Sequence, residues 1–294
     1  MERSPKQFEK PHRPNLTSKC MRVKFNKSIG ALSMQQHIYR QLNELMGGPF
    51  PPYVIPARGF HMLDIGWGMG ESVHELALQY PSAHISGIDM NVSTVEQAQS
   101  LVRGLDNATI FVQDFHHLDD TVLTPASFGL IHLHFLAGEI TLQQFSPFLH
   151  SLVRICRPGG LFVWTEAELP ITTSLACQHL CSLVLQGLQA REHVFSQGNS
   201  LGLTTRMGSM LSDAGCKCTQ TKAYAIDISA RSKGNDVFMT LLRTSHQQLC
   251  TFLLEMGITT ATEFGDLYLE MQQEIQEEQF CGLLYVRTVV AKRL

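Results

Sequence analysis

"LDIGWGMGE", Leu63 to Glu71, joins an apolar run with one embedded acid to three glycines at alternate positions, Gly66, Gly68 and Gly70, with Trp67 between the first two. If a strand ends at Ile65, the turn after it lets a ligand approach the backbone only where residues lack Cβ. The helix-like "ESVHELALQY" that follows offers unpaired N–H groups at its start. By itself the pattern stays ambiguous, because alternate glycines also serve close strand–helix packing.

Outward from this turn, strand and helix patterns alternate. "HMLDIG", "HISGIDM", "ATIFVQD", "FGLIHLHF" and "LFVWTEA" read as strands, separated by the helical "ESVHELALQYP", "TVEQAQSLVRGL" and "LQQFSPFLHSLVRIC", with a polar loop before the fourth strand and a turn at "RPGG". Such alternation predicts βαβ units, a parallel sheet and ligands bound outside the carboxyl ends of its strands. Upstream, residues 1–26 read as a flexible arm. "SMQQHIYRQLNELMGG" reads as a helix with Ser33 as N-cap and a Gly-Gly stop, and "PFPPYVIPARG" as a proline-dense connector. Downstream, residues 169–208 carry the helical "SLACQHLCSLVLQGLQAR" and a polar stretch, an insertion expected to cover the ligand side of the sheet. A strand "QTKAYAIDIS", a helical region over Asn235–Glu277 and a last strand "GLLYVRTVVAKR" predict an antiparallel closing hairpin. The division expected is a 1–55 arm and helical cap followed by one 56–294 domain.

Spacing sharpens the glycine turn. Asp89, ending the second strand in "GIDM", lies 25 positions after Asp64, where an acid can accept both hydroxyls of a ribose. Asp114, in "VQDF", lies 25 further, where it can accept from an adenine amino group, with Phe115 beside it. A nicotinamide dinucleotide is disfavoured: its GxGxxG fingerprint wants glycine where Glu71 stands, and that acid would face a pyrophosphate. "LDIGWGMG", "GIDM", "VQDF" and "RPGGLFVW", in this order over residues 60–168, resemble the successive motifs of class I S-adenosylmethionine-dependent methyltransferases. The resemblance implies a Rossmann-like, doubly wound α/β fold of seven mostly parallel strands with the last antiparallel. It implies S-adenosylmethionine as cofactor, with Asp64, Gly66, Trp67, Gly68 and Gly70 about its methionine part, Asp89 and Met90 at the ribose, and Asp114 and Phe115 at the adenine. Two letters depart from the pattern: Trp67 replaces a small residue or cysteine, and Gly129 replaces a common aspartate.

Composition narrows the acceptor. With 23 Lys+Arg, 26 Asp+Glu and a net charge of -3 over 294 residues, no basic field draws the chain to nucleic acid. Nor does an Asn/Asp-Pro-Pro-aromatic loop follow the fourth strand. No apolar run reaches the roughly 20 residues of a membrane span, and the N-terminus lacks a secretory h-region. The eight cysteines fit reduced thiols in a cytoplasm. Cys177/Cys181 and Cys216/Cys218 lack zinc spacing, and His116, His117, Asp119 and Asp120 read as a solvated loop, so no metal is expected. A small, partly apolar metabolite is the acceptor expected, for a monomer or homodimer.

Methyl transfer from a sulfonium needs alignment and desolvation, and a base when the acceptor keeps its proton. His132 and His134 share one face of the fourth strand, with His134 nearer its carboxyl end, and both are candidate bases; the catalytic candidate Glu139, on the loop beyond, could bind an amine or orient a hydroxyl. Glu166 and Glu168 end the fifth strand as candidates to bind an amine or orient a hydroxyl, whereas Trp164 reads as core. The two histidines favour O-methylation. N- or C-methylation, a descendant that binds the cofactor without transfer, and a module that binds a partner through residues 235–277 stay open beside it.

Overall fold

The computed structural model describes residues 29–48, 59–66, 70–90, 92–114, 118 and 121–294. Trp67, Gly68, Phe115, His116, His117, Asp119, Asp120 and the N-terminal arm lie outside them. Five strands, β1 (His61–Gly66), β2 (His84–Asp89), β3 (Ala108–Val112), β4 (Phe128–His134) and β5 (Cys156–Ala167), run parallel in the order β3–β2–β1–β4–β5. The last strand, β8 (Gly282–Arg293), is antiparallel to β5 on one side and to β7 (Cys216–Asp227) on the other. A two-residue β6 (Ile171–Thr172) pairs with Gly282 and Leu283 and so extends the line of β5 along β8. Seven long strands therefore make the mostly parallel, Rossmann-like sheet expected.

Strand periodicity supplies two faces, and helices bury both. On one side α4 (Leu142–Ile155) and α6 (Leu203–Asp213) cover Leu63, Ile65, Ile131, Leu133, Phe162 and Trp164. Trp164 stacks on Phe145 at 5.4 Å and is core, as its apolar setting predicts. On the other side α2 (Glu71–Gln79) and α3 (Val92–Leu101) cover Met62, Ile85, Leu130 and Val163. All seven residues of β4 are buried, as a central strand of a doubly covered sheet requires.

A third core lies over one end of the sheet. It unites α1 (Ile29–Met46), α5 (Leu175–Ala190), α7 (Lys233–Glu255) and α8 (Ala261–Gln276). α5 follows the carboxyl end of β5, and α7–α8 connect the carboxyl end of β7 to the start of β8, so these helices form a cap on the ligand side of the sheet. Several expectations change here. α1 begins at Ile29, so Ser33 lies inside the helix and is not its N-cap. Its Gly-Gly stop holds, since Gly47 and Gly48 take φ of 86° and 124° and donate to the carbonyls of Glu44 and Asn43. The region 235–277 is two helices broken at Gly257. Their buried apolar side chains, including Leu242, Leu253, Tyr268 and Met271, pack inside the cap. Cys177 packs in the same core and Cys181 against it, a buried helical stripe. Among the described residues no helix is long and apolar enough to cross a membrane.

One carboxylate ties the cap together. Glu274 of α8 accepts from the Ser174 hydroxyl (2.6 Å) and the Ala176 N–H (3.0 Å) at the start of α5. An anion is favoured at a helix N-terminus, where the first N–H groups lack intrahelical partners. Glu274→Ala is therefore expected to cost about 1–2 kcal/mol of stability, read as a lower urea midpoint at unchanged slope.

Candidate functional site

The register of β1 and β4 builds the site. Asp64 lies opposite His132 and Gly66 opposite His134. Neighbours across parallel strands share a face, so the carboxylate and both imidazoles converge on the α2–α3 side of the sheet. His132 Nδ1 lies 2.7 Å from Asp64 Oδ1, and His134 Nε2 lies 3.3 Å from Oδ2. The Ser72 hydroxyl, in the first turn of α2, also donates to Oδ2. All four side chains are buried. Burial alone would push the Asp64 carboxyl up, but the imidazoles outweigh it and hold it well below the usual carboxylate range. Burial also lowers the pKa of His132 despite the nearby charge. The pair is thus a neutral imidazole donating to a carboxylate.

The glycines make room for this cluster. A Cβ on Gly66 would collide with the His134 ring, so the first glycine is what allows the histidine to sit there. Gly70 takes φ of 86° as N-cap of α2, and a Cβ there would press on Ala98 and Ile110. Asp64, Gly66, Ser72, Gly70, Asp89 and His134 line a single cleft. His132 lies beneath it, locked to Asp64. Met90 is 40% exposed just past β2, Asp114 is exposed beyond β3, and Glu139 is exposed in the turn after β4. Trp67, Gly68 and Phe115 fall outside the described residues.

Both glutamates ending β5 are already engaged by the protein. Glu166, fully buried, accepts from Trp164 Nε1 (2.8 Å) and from the N–H groups of Leu136 (2.8 Å) and Ala137 (3.3 Å). It thereby holds the turn after β4, where Phe135 takes a left-handed φ of 53° that a non-glycine residue adopts only when its surroundings enforce it. Burial pushes its pKa up to about 7, against the three donors that favour the anion. Glu168 accepts from the N–H groups of Leu201 and Gly202 and from the Thr204 hydroxyl, capping α6. Two residues near the cleft escape sequence reasoning. Ser72 stands in an ordinary helix start. Tyr39, from α1, brings its ring to 5.3 Å from that of His134, and burial together with the Asp64 charge raises its phenol well above the ordinary value. Its only signal was its place beside the apolar stripe Ile38–Leu42.

The family model of the methyltransferase domain matches residues 56–215. No curated protein sequence matches the chain. The fold is similar to that of phosphoethanolamine N-methyltransferase 2 from Haemonchus contortus, solved with phosphomonomethylethanolamine and S-adenosylhomocysteine, at 15% identity over 93% of this chain and 59% of that one, TM-score 0.55. It is also similar to that of the YcgJ protein from Bacillus subtilis, at 15% identity over 87% of this chain and 98% of that one, TM-score 0.52. In a second structure of the Haemonchus enzyme, bound to S-adenosyl-L-methionine, this chain spans 52%, about half its length.

Glu166 provides a test of the site's electrostatics. Because its folded pKa, about 7, stands above the ordinary 4.5, its contribution to stability is full below about pH 4.5 and is lost as pH rises through 7. Glu166→Gln removes that titration and turns an amide NH2 against a backbone donor. The variant is expected to be less stable than the wild type, with a gap that narrows by about 3 kcal/mol between pH 4.5 and 7.5. Urea unfolding of both proteins across that range measures it, and a pH-independent gap would contradict the raised pKa.

Proposed function

The chain belongs to the methyltransferase-domain family and is a class I S-adenosylmethionine-dependent methyltransferase, and from that premise we propose that it methylates a hydroxyl of a small, partly apolar metabolite with His134 as general base. One observation carries the reading. With Asp64 ionised, its Oδ2 accepts from His134 Nε2–H, which leaves the lone pair on Nδ1. That nitrogen is buried and has no hydrogen-bond partner among the described residues. An imidazole held in one tautomer by a carboxylate, with its other nitrogen free, is the arrangement that takes a proton from an attacking hydroxyl.

The residues that line the cleft support the cofactor reading. Gly66 and Gly70 line it at the end of β1 and the start of α2, and Asp89 places a carboxylate at the end of β2 for ribose hydroxyls. Asp64 Oδ2 has two protein donors and Oδ1 one, so a remaining Oδ1 lone pair and the glycine backbone are what is left for the methionine part. When bound, S-adenosylmethionine supplies an electrophilic methyl group on a sulfonium. The chain's own groups then orient the acceptor, exclude water and receive its proton at His134 Nδ1. The apolar cap of α1, α5, α7 and α8, with Phe135 and Ala167 packed against it, suits a small acceptor better than a polymer.

Calorimetry with S-adenosylhomocysteine is expected to show binding that Asp89→Ala weakens by about 1–3 kcal/mol, the scale of hydrogen bonds to a charged acceptor. Against a panel of small phenols, alcohols and amines, His134→Asn is expected to lower kcat by about 10²- to 10⁴-fold, the usual contribution of a general base, while S-adenosylhomocysteine still binds. An unchanged kcat removes the base role. Products methylated on nitrogen or carbon replace the hydroxyl reading, and binding without turnover on any acceptor supports a non-transferring descendant.

A further inference from the structure

Asp64, His132 and His134 each bring one ligating atom to within 4.8 Å of the other two, with all three side chains buried, and no other group of His, Cys, Asp and Glu does so among the described residues. Two imidazoles and one carboxylate suit zinc, cobalt or iron(II) far better than magnesium or calcium, which prefer oxygen. The three residues sit on adjacent central strands in fixed register, so the donors are preorganised and the backbone need not move. Ligands about 2.1 Å from a tetrahedral ion lie about 3.4 Å apart. The 3.3 Å from His134 Nε2 to Oδ2 already meets that spacing, and His132 Nδ1, 2.7 Å from the other oxygen of the same carboxylate, comes into ligating position by small side-chain rotations. Ser72, donating to Oδ2, orients the carboxylate from behind. Asp64 and His134 also line the cleft, which provides an entry path and a fourth position for water.

An ion on His134 Nε2 displaces the proton there, and the neutral ring then carries it on Nδ1, the buried nitrogen without a partner. His132 changes in the same way: its proton moves from Nδ1 to Nε2 as the Nδ1 lone pair goes to the ion, so no charge is created on either ring. We propose that Asp64, His132 and His134 form a binding site for one divalent transition-metal ion of the zinc–cobalt class. Loading it turns His134 Nδ1 from acceptor to donor. The consequence for catalysis, loss of the base and hence metal inhibition, rests on the base role proposed above, whereas the binding itself does not.

Titrating the full-length chain with Co²⁺ under reducing conditions tests the binding. One equivalent is expected to give the visible absorption of four- or five-coordinate cobalt, bleached by Zn²⁺ and weakened at least 100-fold in His132→Ala and in Asp64→Asn. Because these variants remove buried partners, X-ray absorption of the Zn²⁺-loaded wild type serves as a fold-independent readout. Two imidazoles with light oxygen scatterers are expected, and a sulfur shell, or cobalt that keeps the spectrum of the hexaaqua ion, overturns the site. Metal binding with no methyl transfer on any acceptor would unseat the proposed function and leave the site standing. Transfer unaffected by a bound equivalent of Zn²⁺ would remove the inhibition alone.

Discussion

A carboxylate buried in the middle of a sheet must be matched by donors or lose its charge, and Asp64 sets that demand for the whole ligand side of this protein. Two imidazoles and a hydroxyl meet it, and each comes from a different constraint. His132 is supplied by the register of β4 on β1, His134 by the absence of a side chain at Gly66, and Ser72 by the start of α2. A slip of one residue between β1 and β4 would turn both histidines to the opposite face and strand the charge, so the cluster also specifies the pairing.

Carboxylates recur as fasteners around that centre. Glu166 secures the turn beyond β4, Glu168 the start of α6 and Glu274 the start of α5, each by accepting from backbone N–H groups. Helix starts and tight turns leave such donors unpaired, and a side chain reaching across from another element satisfies them while joining the two. The loops that shape the cleft are thereby hung on the sheet, and the cap on its own helices. Acids at strand ends, which chemistry would recruit in another protein, are here largely committed to architecture.

Much of the architecture was legible in advance because it follows from local repeats. The strand–helix alternation, the sheet with its antiparallel last strand and the burial of Trp164 all come from periods of two and about 3.6 in the apolar residues. The misreadings fall where local signals mislead. Ser33 looked like a cap, but its helix starts four residues earlier at Ile29. Residues 235–277 read as one helical region, but two helices meet at Gly257, and Phe264, Tyr268, Met271 and Ile275 form a buried stripe that the acidic run "EMQQEIQEEQ" obscures. Glu166 and Glu168 looked like ligands, because nothing in the chain nearby shows the N–H groups they serve.

The sequence by itself determined the fold class and the family, through glycines at a strand–helix turn and acids spaced at strand ends. Only the tertiary structure decided what those acids do. Asp64 finds His132 and His134 at 68 and 70 residues' distance, Glu166 finds its turn 29 and 30 residues back, and Tyr39 reaches His134 from a helix before the sheet begins. Such partners depend on strand register and on how helices pack over a sheet end. Periodicity fixes which face a residue points to, but not which distant residue it meets there.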